Sequence, residues 1–263
     1  MKKVLRLSSI VMVLCLCMAL NPSRTYKQRP EKYNMKYEEH KLPTGDGDAT
    51  INVWHFDAKT KSDKCMLICH NGDGNMADYL RRVDQFTGLN YNVVLFDYRG
   101  FGESSEFEID NNMYIYPHFT DDVETVIDYC RKKYTTFSLY GWGMGAGLAL
   151  GMGYNRPEVE AIIADAPFTC LDTLEARFRT WEEPLEVPFA GYQKRFEPLF
   201  ALQNAPQKNL KDIKLVIGSN DPIMNKADME QLQKLQKKLI NEKIYVVENP
   251  DQKDNFKLDQ AAY

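Results

Sequence analysis

A chain of 263 residues, 44% hydrophobic and 27% charged, is long enough for one globular domain of the larger kind with a sizeable buried core. Its 33 basic and 37 acidic residues leave a formal charge of −4 with no basic block, which excludes the electrostatic footprint of a nucleic-acid-binding protein.

The first residues stand apart from the rest. Lys2, Lys3 and Arg6 precede an uncharged run from Leu7 to Leu20, shorter than the roughly 20 residues a spanning helix needs, which predicts a secretory signal over 1–19 with Cys17-Met18-Ala19 as a small-x-small cleavage site. An uncleaved signal anchor and a lipoprotein signal at Cys15 or Cys17 remain open; Leu14 and Leu16 are larger than the residue a lipoprotein signal usually places before its cysteine. Membrane contact is expected only through such an N-terminus. Residues 20–36 are polar, carry Pro22 and Pro30, and read as a mobile spacer ahead of a domain spanning 37–263.

Two strands around the turn Thr44-Gly45-Asp46-Gly47-Asp48 come next, at 37–40 and 50–58, the second alternating in the manner of an antiparallel strand with one wet face. From Lys64 onward the texture changes to short continuous apolar runs at 65–69, 93–96, 137–140, 161–164, 213–217 and 244–247. Helical stretches separate them near 76–88, 120–133, 145–154, 170–181 and 225–240. That alternation predicts an α/β fold with a mostly parallel sheet covered on both faces. The interval between Ala166 and Asp212 is too long for a simple crossover. Its prolines and its aromatic set, Phe178, Trp181, Phe189, Tyr192, Phe196 and Phe200, predict a cap-like insertion at about 168–210, lying over the ligand crevice or packing as a plain helical excursion. Cys65 and Cys69 fall on one strand face too far apart to bridge, so buried free thiols are expected, with a disulfide at Cys130 or Cys170 left open.

The stretch Ser138-Leu139-Tyr140-Gly141-Trp142-Gly143-Met144-Gly145-Ala146-Gly147 has the layout of a nucleophile elbow, Gly-x-Ser-x-Gly between a strand and a helix. Gly141 and Gly145 keep the close approach that the turn demands, while Gly143 stands where the nucleophile belongs. Asp73, Asp165 and Asp221 sit on separate loops with no supporting histidine, so no metal and no cofactor is expected.

Four further stretches carry a resemblance: His70-Asn71-Gly72-Asp73-Gly74-Asn75, Asp97-Tyr98-Arg99-Gly100-Phe101-Gly102-Glu103-Ser104, Asp165-Ala166-Pro167-Phe168-Thr169 and Gly218-Ser219-Asn220-Asp221-Pro222-Ile223-Met224. In this order, and over roughly residues 50–256, they resemble the α/β-hydrolase superfamily, in particular its lysophospholipase-like and serine-aminopeptidase-like branch. The resemblance implies the α/β-hydrolase fold with a small cap insertion and a triad in chain order nucleophile, acid, base. Carried onto this sequence, Gly143 takes the nucleophile position and Asp221 the acid position. The base position near Lys253 and Asp254 holds no histidine: His40, His55, His70 and His118 all precede the elbow. The implied oxyanion-hole donors are the backbone N–H groups of Met144 and Gly72, with His70 beside them near the sheet's carboxyl edge. The expectation is an exported, non-catalytic protein that binds a small acyl or carbonyl ligand or a protein partner. The alternative is a weak ester or peptide hydrolase rearranged around Ser104 and His70.

Overall fold

The computed structural model describes residues 19–188, 190–240, 244–249 and 254–263; the signal expected at 1–19, except Ala19, lies outside them, as do Phe189 and Lys253. The described residues form ten strands in chain order: β1 (Asn21–Pro22), β2 (Glu38–Pro43), β3 (Thr50–Phe56), β4 (Cys65–Cys69), β5 (Asp73–Gly74), β6 (Asn92–Phe96), β7 (Phe137–Trp142), β8 (Val159–Asp165), β9 (Asp212–Gly218) and β10 (Tyr245–Val247). The helices are α1 (Leu80–Gly88), α2 (His118–Lys133), α3 (Met144–Gly153), α4 (Leu171–Phe178), α5 (Pro198–Ala201), α6 (Lys226–Leu235) and α7 (Asn255–Leu258).

Eight strands form one sheet in the order β10-β9-β8-β7-β4-β6-β3-β2, in which β3 runs antiparallel to both neighbours and every pair from β6 to β10 is parallel. The apolar runs are strands because helices cover both faces. Along β4, Cys65, Leu67 and Cys69 enter the larger core, with Val123 and Ile127 of α2 and Leu150 of α3. Met66 and Ile68 enter the opposite core with Val83 and Phe86 of α1. The edge strand β2 has the wet face, but β3, where the sequence alternates, is buried on both faces from Ile51 to Phe56 because it lies between β2 and β6.

Six of the ten residues of helix α3 are glycine or alanine, for a steric reason. A Cβ on Gly145 would lie 2.3 Å from the Cys69 carbonyl oxygen, and one on Gly151 would lie 1.8 Å from that of Phe196. Backbones therefore touch where side chains usually intervene, and the carboxyl ends of β4 and β7 and the start of α3 are drawn into one tight corner.

Another expectation changes, and one of two open alternatives is selected. Residues 19–36 are packed rather than mobile: β1 pairs with β5, Leu20 and Pro30 are buried, and Asn75 Nδ2 donates to the carbonyls of Ser23 and Thr25 at 3.1 and 3.0 Å. The chain is polar there because its side chains and carbonyls bond to loops of the domain. The insertion packs as a helical excursion. Phe178, Leu185 and Ala201 join the larger core, and none of its described residues lines the crevice at the sheet's carboxyl edge. Cys65, Cys69, Cys130 and Cys170 are all buried free thiols.

Candidate functional site

Strand β7 ends in a turn that returns directly into α3, and the residue at its apex is Gly143, with φ 57° and ψ −122°. Its N–H donates to the Asp165 carbonyl at 2.8 Å, and its carbonyl accepts from Ala146 and Gly147, so the turn is held from both sides. A Cβ on Gly143 would meet nothing closer than the Asn71 Cβ at 3.4 Å, whereas one on Gly141 would lie 2.2 Å from the Gly145 carbonyl oxygen. The outer glycines are required by space; Gly143 is required only by the positive φ.

In front of the apex lies a cavity of about 70 Å³ lined by Ala19, Asn71, Tyr114, Trp142, Gly143, Met144, Ala166, Asp221 and Ile223. Asp221 reaches it from the loop after β9. Its Oδ1 accepts the N–H groups of Ile223 and Met224 at 2.9 and 2.7 Å, the local turn that an aspartate readily makes. Burial pushes its carboxyl up, while those N–H groups draw it back down. Met144 is the first residue of α3, so its N–H has no acceptor within the helix and remains a donor at the cavity wall.

Other expected members of the site are elsewhere. Gly72 does not line the cavity: its N–H donates to His70 Nδ1 at 3.2 Å, and Leu20 covers its α-carbon. His70 is fully buried among Tyr98, Phe101, Tyr79 and Phe96, with Nε2 3.7 Å from Asp97 Oδ1, and burial pulls its imidazole down to about 3. It is a packing residue and faces no crevice. Ser104 is equally enclosed, donating to the Asp97 carbonyl at 2.6 Å and accepting from the Asn52 N–H at 2.8 Å. Arg99 is fastened to Asp122, with Nε 2.8 Å from Oδ1. The residues that sequence reasoning missed as cavity walls are Tyr114, Trp142, Ala166 and Ile223; Ala166 follows β8 with φ 55°, unusual for a residue with a Cβ.

Where a base would follow the acid, Asp254 is otherwise engaged: its Oδ1 accepts from the buried Arg82 at 2.6 Å and caps α7 at the Phe256 N–H. Arg82 stacks against Tyr79, Trp142 and Phe256 and donates from Nε to Tyr140 at 2.9 Å. Close by, buried Asp165 accepts Asn255 Nδ2 at 2.7 Å and the Tyr263 hydroxyl; burial pushes its carboxyl up to about 6 against those two donors. A larger open groove, about 990 Å³, adjoins the cavity and shares Asn71 and Trp142 with it. At the far sheet edge, Glu38, His40 and His55 bring possible ligand atoms within 4.8 Å of one another, but both ring nitrogens of His55 are already bonded to Tyr129 and Tyr134.

Comparison with known proteins gives the frame. A family model described as serine aminopeptidase, S33, matches residues 60–190. Lysophosphatidylserine lipase ABHD12 of Bos taurus is 28% identical over 227 residues, covering 78% of this chain and 54% of that protein. Protein bem46 of Schizosaccharomyces pombe is 27% identical over 158 residues, 57% of this chain and 50% of that protein. This chain thus spans about half the length of these two relatives. The esterase Pf2001 of Pyrococcus furiosus superposes with a TM-score of 0.64 at 22% identity, covering 87% of each chain. A CIB-like hydrolase from Thermoplasma acidophilum gives 0.54 at 16% identity over 81% of this chain and 87% of that one.

Proposed function

The chain belongs to the α/β-hydrolase superfamily, and from that premise we propose that it binds a ligand without cleaving it. The observation that carries this reading is the apex of the elbow: a hydrolase of this fold presents a hydroxyl there, and Gly143 presents none. The surroundings support it. Of the histidines, His70 is sealed in the core and His55 is bonded to two tyrosines at the opposite sheet edge, and no histidine lines the cavity. Without a nucleophile and a proton acceptor together, an acyl-enzyme does not form.

What supports a ligand is a recess lined by Met144, whose N–H has no acceptor among the described residues, sharing Asn71 and Trp142 with a groove large enough for a small organic molecule. The ligand in this reading is a small acyl or carbonyl compound whose oxygen accepts from Met144, or a protein partner presenting such a group. Lys2, Lys3 and Arg6 ahead of the uncharged run support export of the protein. Among the described residues no helix is long and apolar enough to cross a membrane.

Hydrolysis of short- and medium-chain aryl esters by the purified protein tests the reading. The expected rate is that of buffer alone, with amide and carboxylate analogues of the same esters raising the melting temperature by mass action. Turnover that tracks protein concentration and persists through purification would overturn it.

A further inference from the structure

We propose that Glu38, His40 and His55, on the strand pair β2–β3, form a site for one divalent transition-metal ion of the zinc class. The site lies away from Gly143 and goes beyond the binding reading without resting on it.

Residues two apart on a strand point to the same face, and residues directly opposite on antiparallel neighbours bring their side chains close. Glu38 and His40 are two apart on β2, and Glu38 is registered opposite His55 on β3. All three side chains face α2. His55 bonds Tyr129, the His40 ring packs 5.2 Å from the Tyr129 ring, and Lys133 Nζ reaches Glu38 Oε2 at 3.8 Å. One ligand atom from each residue lies within 4.8 Å of the other two, and His40 Nε2 is 3.2 Å from Glu38 Oε2. An ion bound at about 2.1 Å holds tetrahedral ligand atoms about 3.4 Å apart, so the Glu38–His40 pair already stands near ligand spacing. The remaining closure falls to these two side chains, which are not buried and are free to rotate. His40 and His55 lie on different strands, so no local ligand spacing announces the set in the sequence; the strand pairing assembles it.

The donor set selects the ion. Two imidazoles and one carboxylate suit zinc, copper or nickel, whereas magnesium and calcium take oxygen ligands. His55 is oriented in advance, with its ring nitrogens 2.9 Å from the Tyr129 hydroxyl and 2.7 Å from that of Tyr134. A neutral imidazole has one bare nitrogen, which accepts from one tyrosine, and one N–H, which donates to the other. The ion replaces the tyrosine on the bare nitrogen. The second tyrosine keeps the N–H and fixes the ring, as the outer partners of ligating histidines do. Three protein ligands leave a fourth position to water or to the displaced phenol oxygen. Lys133 is the local competitor, and because both it and Glu38 are partly exposed their ion pair is weak and gives way. The bound ion ties β2 to β3 through side chains as well as backbone.

The test uses the whole protein, freed of metal by a chelator and titrated at pH 7 with zinc and, separately, with magnesium against a chromogenic competitor. One zinc per chain is expected to depend on the cluster. His40→Gln and Glu38→Gln, both outside the core, are expected to keep the unfolding midpoint of the metal-free protein and each to weaken zinc binding at least tenfold. His118→Gln, at the exposed opposite end of α2, is expected to bind as the parent does. Lys133→Gln removes the competing cation and is expected to bind at least as tightly as the parent. The imidazole nitrogen NMR signals of His40 and His55 are expected to move together as zinc saturates. Zinc affinity unchanged in either His40→Gln or Glu38→Gln, a comparable loss in His118→Gln, or weaker binding by Lys133→Gln overturns the proposal. So does magnesium binding as tight as zinc, or a His55 ring signal that stays in place at zinc saturation.

Discussion

His70 shows how one buried side chain can look functional in a sequence and be structural in the fold. It opens the loop after β4, where the resemblance sets an oxyanion loop, yet its ring turns inward: Nδ1 accepts the Gly72 N–H, and Nε2 faces Asp97. A proton added at Nδ1 would break that bond and bury a charge. The folded ring is pulled down to about 3 from an ordinary value near 6.5, so its contribution to stability is complete above pH 6.5 and is lost as pH falls toward 3. Asp97 is pushed up to about 7 by burial, so through most of that window it is protonated and offers the ring no compensating charge. In the His70→Phe variant the acid side of the stability profile is therefore expected to flatten by up to about 1.4 kcal/mol per pH unit. Urea unfolding at pH 7, 6, 5 and 4 measures that slope, and parallel profiles for the two proteins would refute the assignment. Nothing in the residue pattern distinguishes an inward from an outward ring. The direction is set by four aromatic neighbours on β6 and on the loops flanking it and β5, which only the fold assembles.

Elements, by contrast, were largely legible. The apolar runs at 65–69, 93–96, 137–140, 161–164 and 213–217 are strands of one sheet, because short β-rich runs between helical stretches have no other way to bury both faces. The glycine spacing around the elbow was legible too, and it makes a graded prediction. Gly145→Ala drives a methyl group into the Cys69 and His70 carbonyls at 2.3 and 2.4 Å, which the packed corner cannot absorb, so a loss of about 3 kcal/mol or more is expected. Gly143→Ala meets open space and carries only the strain of a positive φ, about 1–2 kcal/mol. Chemical denaturation of the two variants orders them, and the reverse order would contradict the corner geometry. The segment after Ala19 was not legible. Asn21-Pro22 is too short to show a strand period, and its pairing with Asp73-Gly74 depends on a loop far away in sequence. Leu20 anchors it, being 1% exposed against Gly72 and Met144. Leu20→Ala removes about 2–3 kcal/mol of packing at a segment that opens on its own. Hydrogen exchange at the Asn21 and Ser23 amides, which donate to Gly72 and Gly74, is expected to accelerate while the β4 and β7 amides keep their protection.

Across the molecule, the observations behind the proposal of binding without cleavage lie on separate elements. The apex of β7 and α3 carries no hydroxyl, Asp254 near the base position is spent on Arg82, and the Gly72 N–H is spent on His70. Leu20 is buried beside Gly72. Asp221 and Met144 still line the cavity of about 70 Å³ beside the apex. The Gly72 N–H and Asp254 bond elsewhere. Catalytic groups that act as a unit contribute little one at a time, so restoring one of them restores almost nothing. Gly143→Ser is a clean probe of this, because the nearest atom to the new Cβ is 3.4 Å away and the variant should fold. Its aryl-ester hydrolysis is expected to stay within a factor of about ten of the buffer rate, since a lone serine hydroxyl without a base is a weak nucleophile. Larger turnover would place a working base within reach of residue 143 and would overturn the reading of a ligand bound without cleavage.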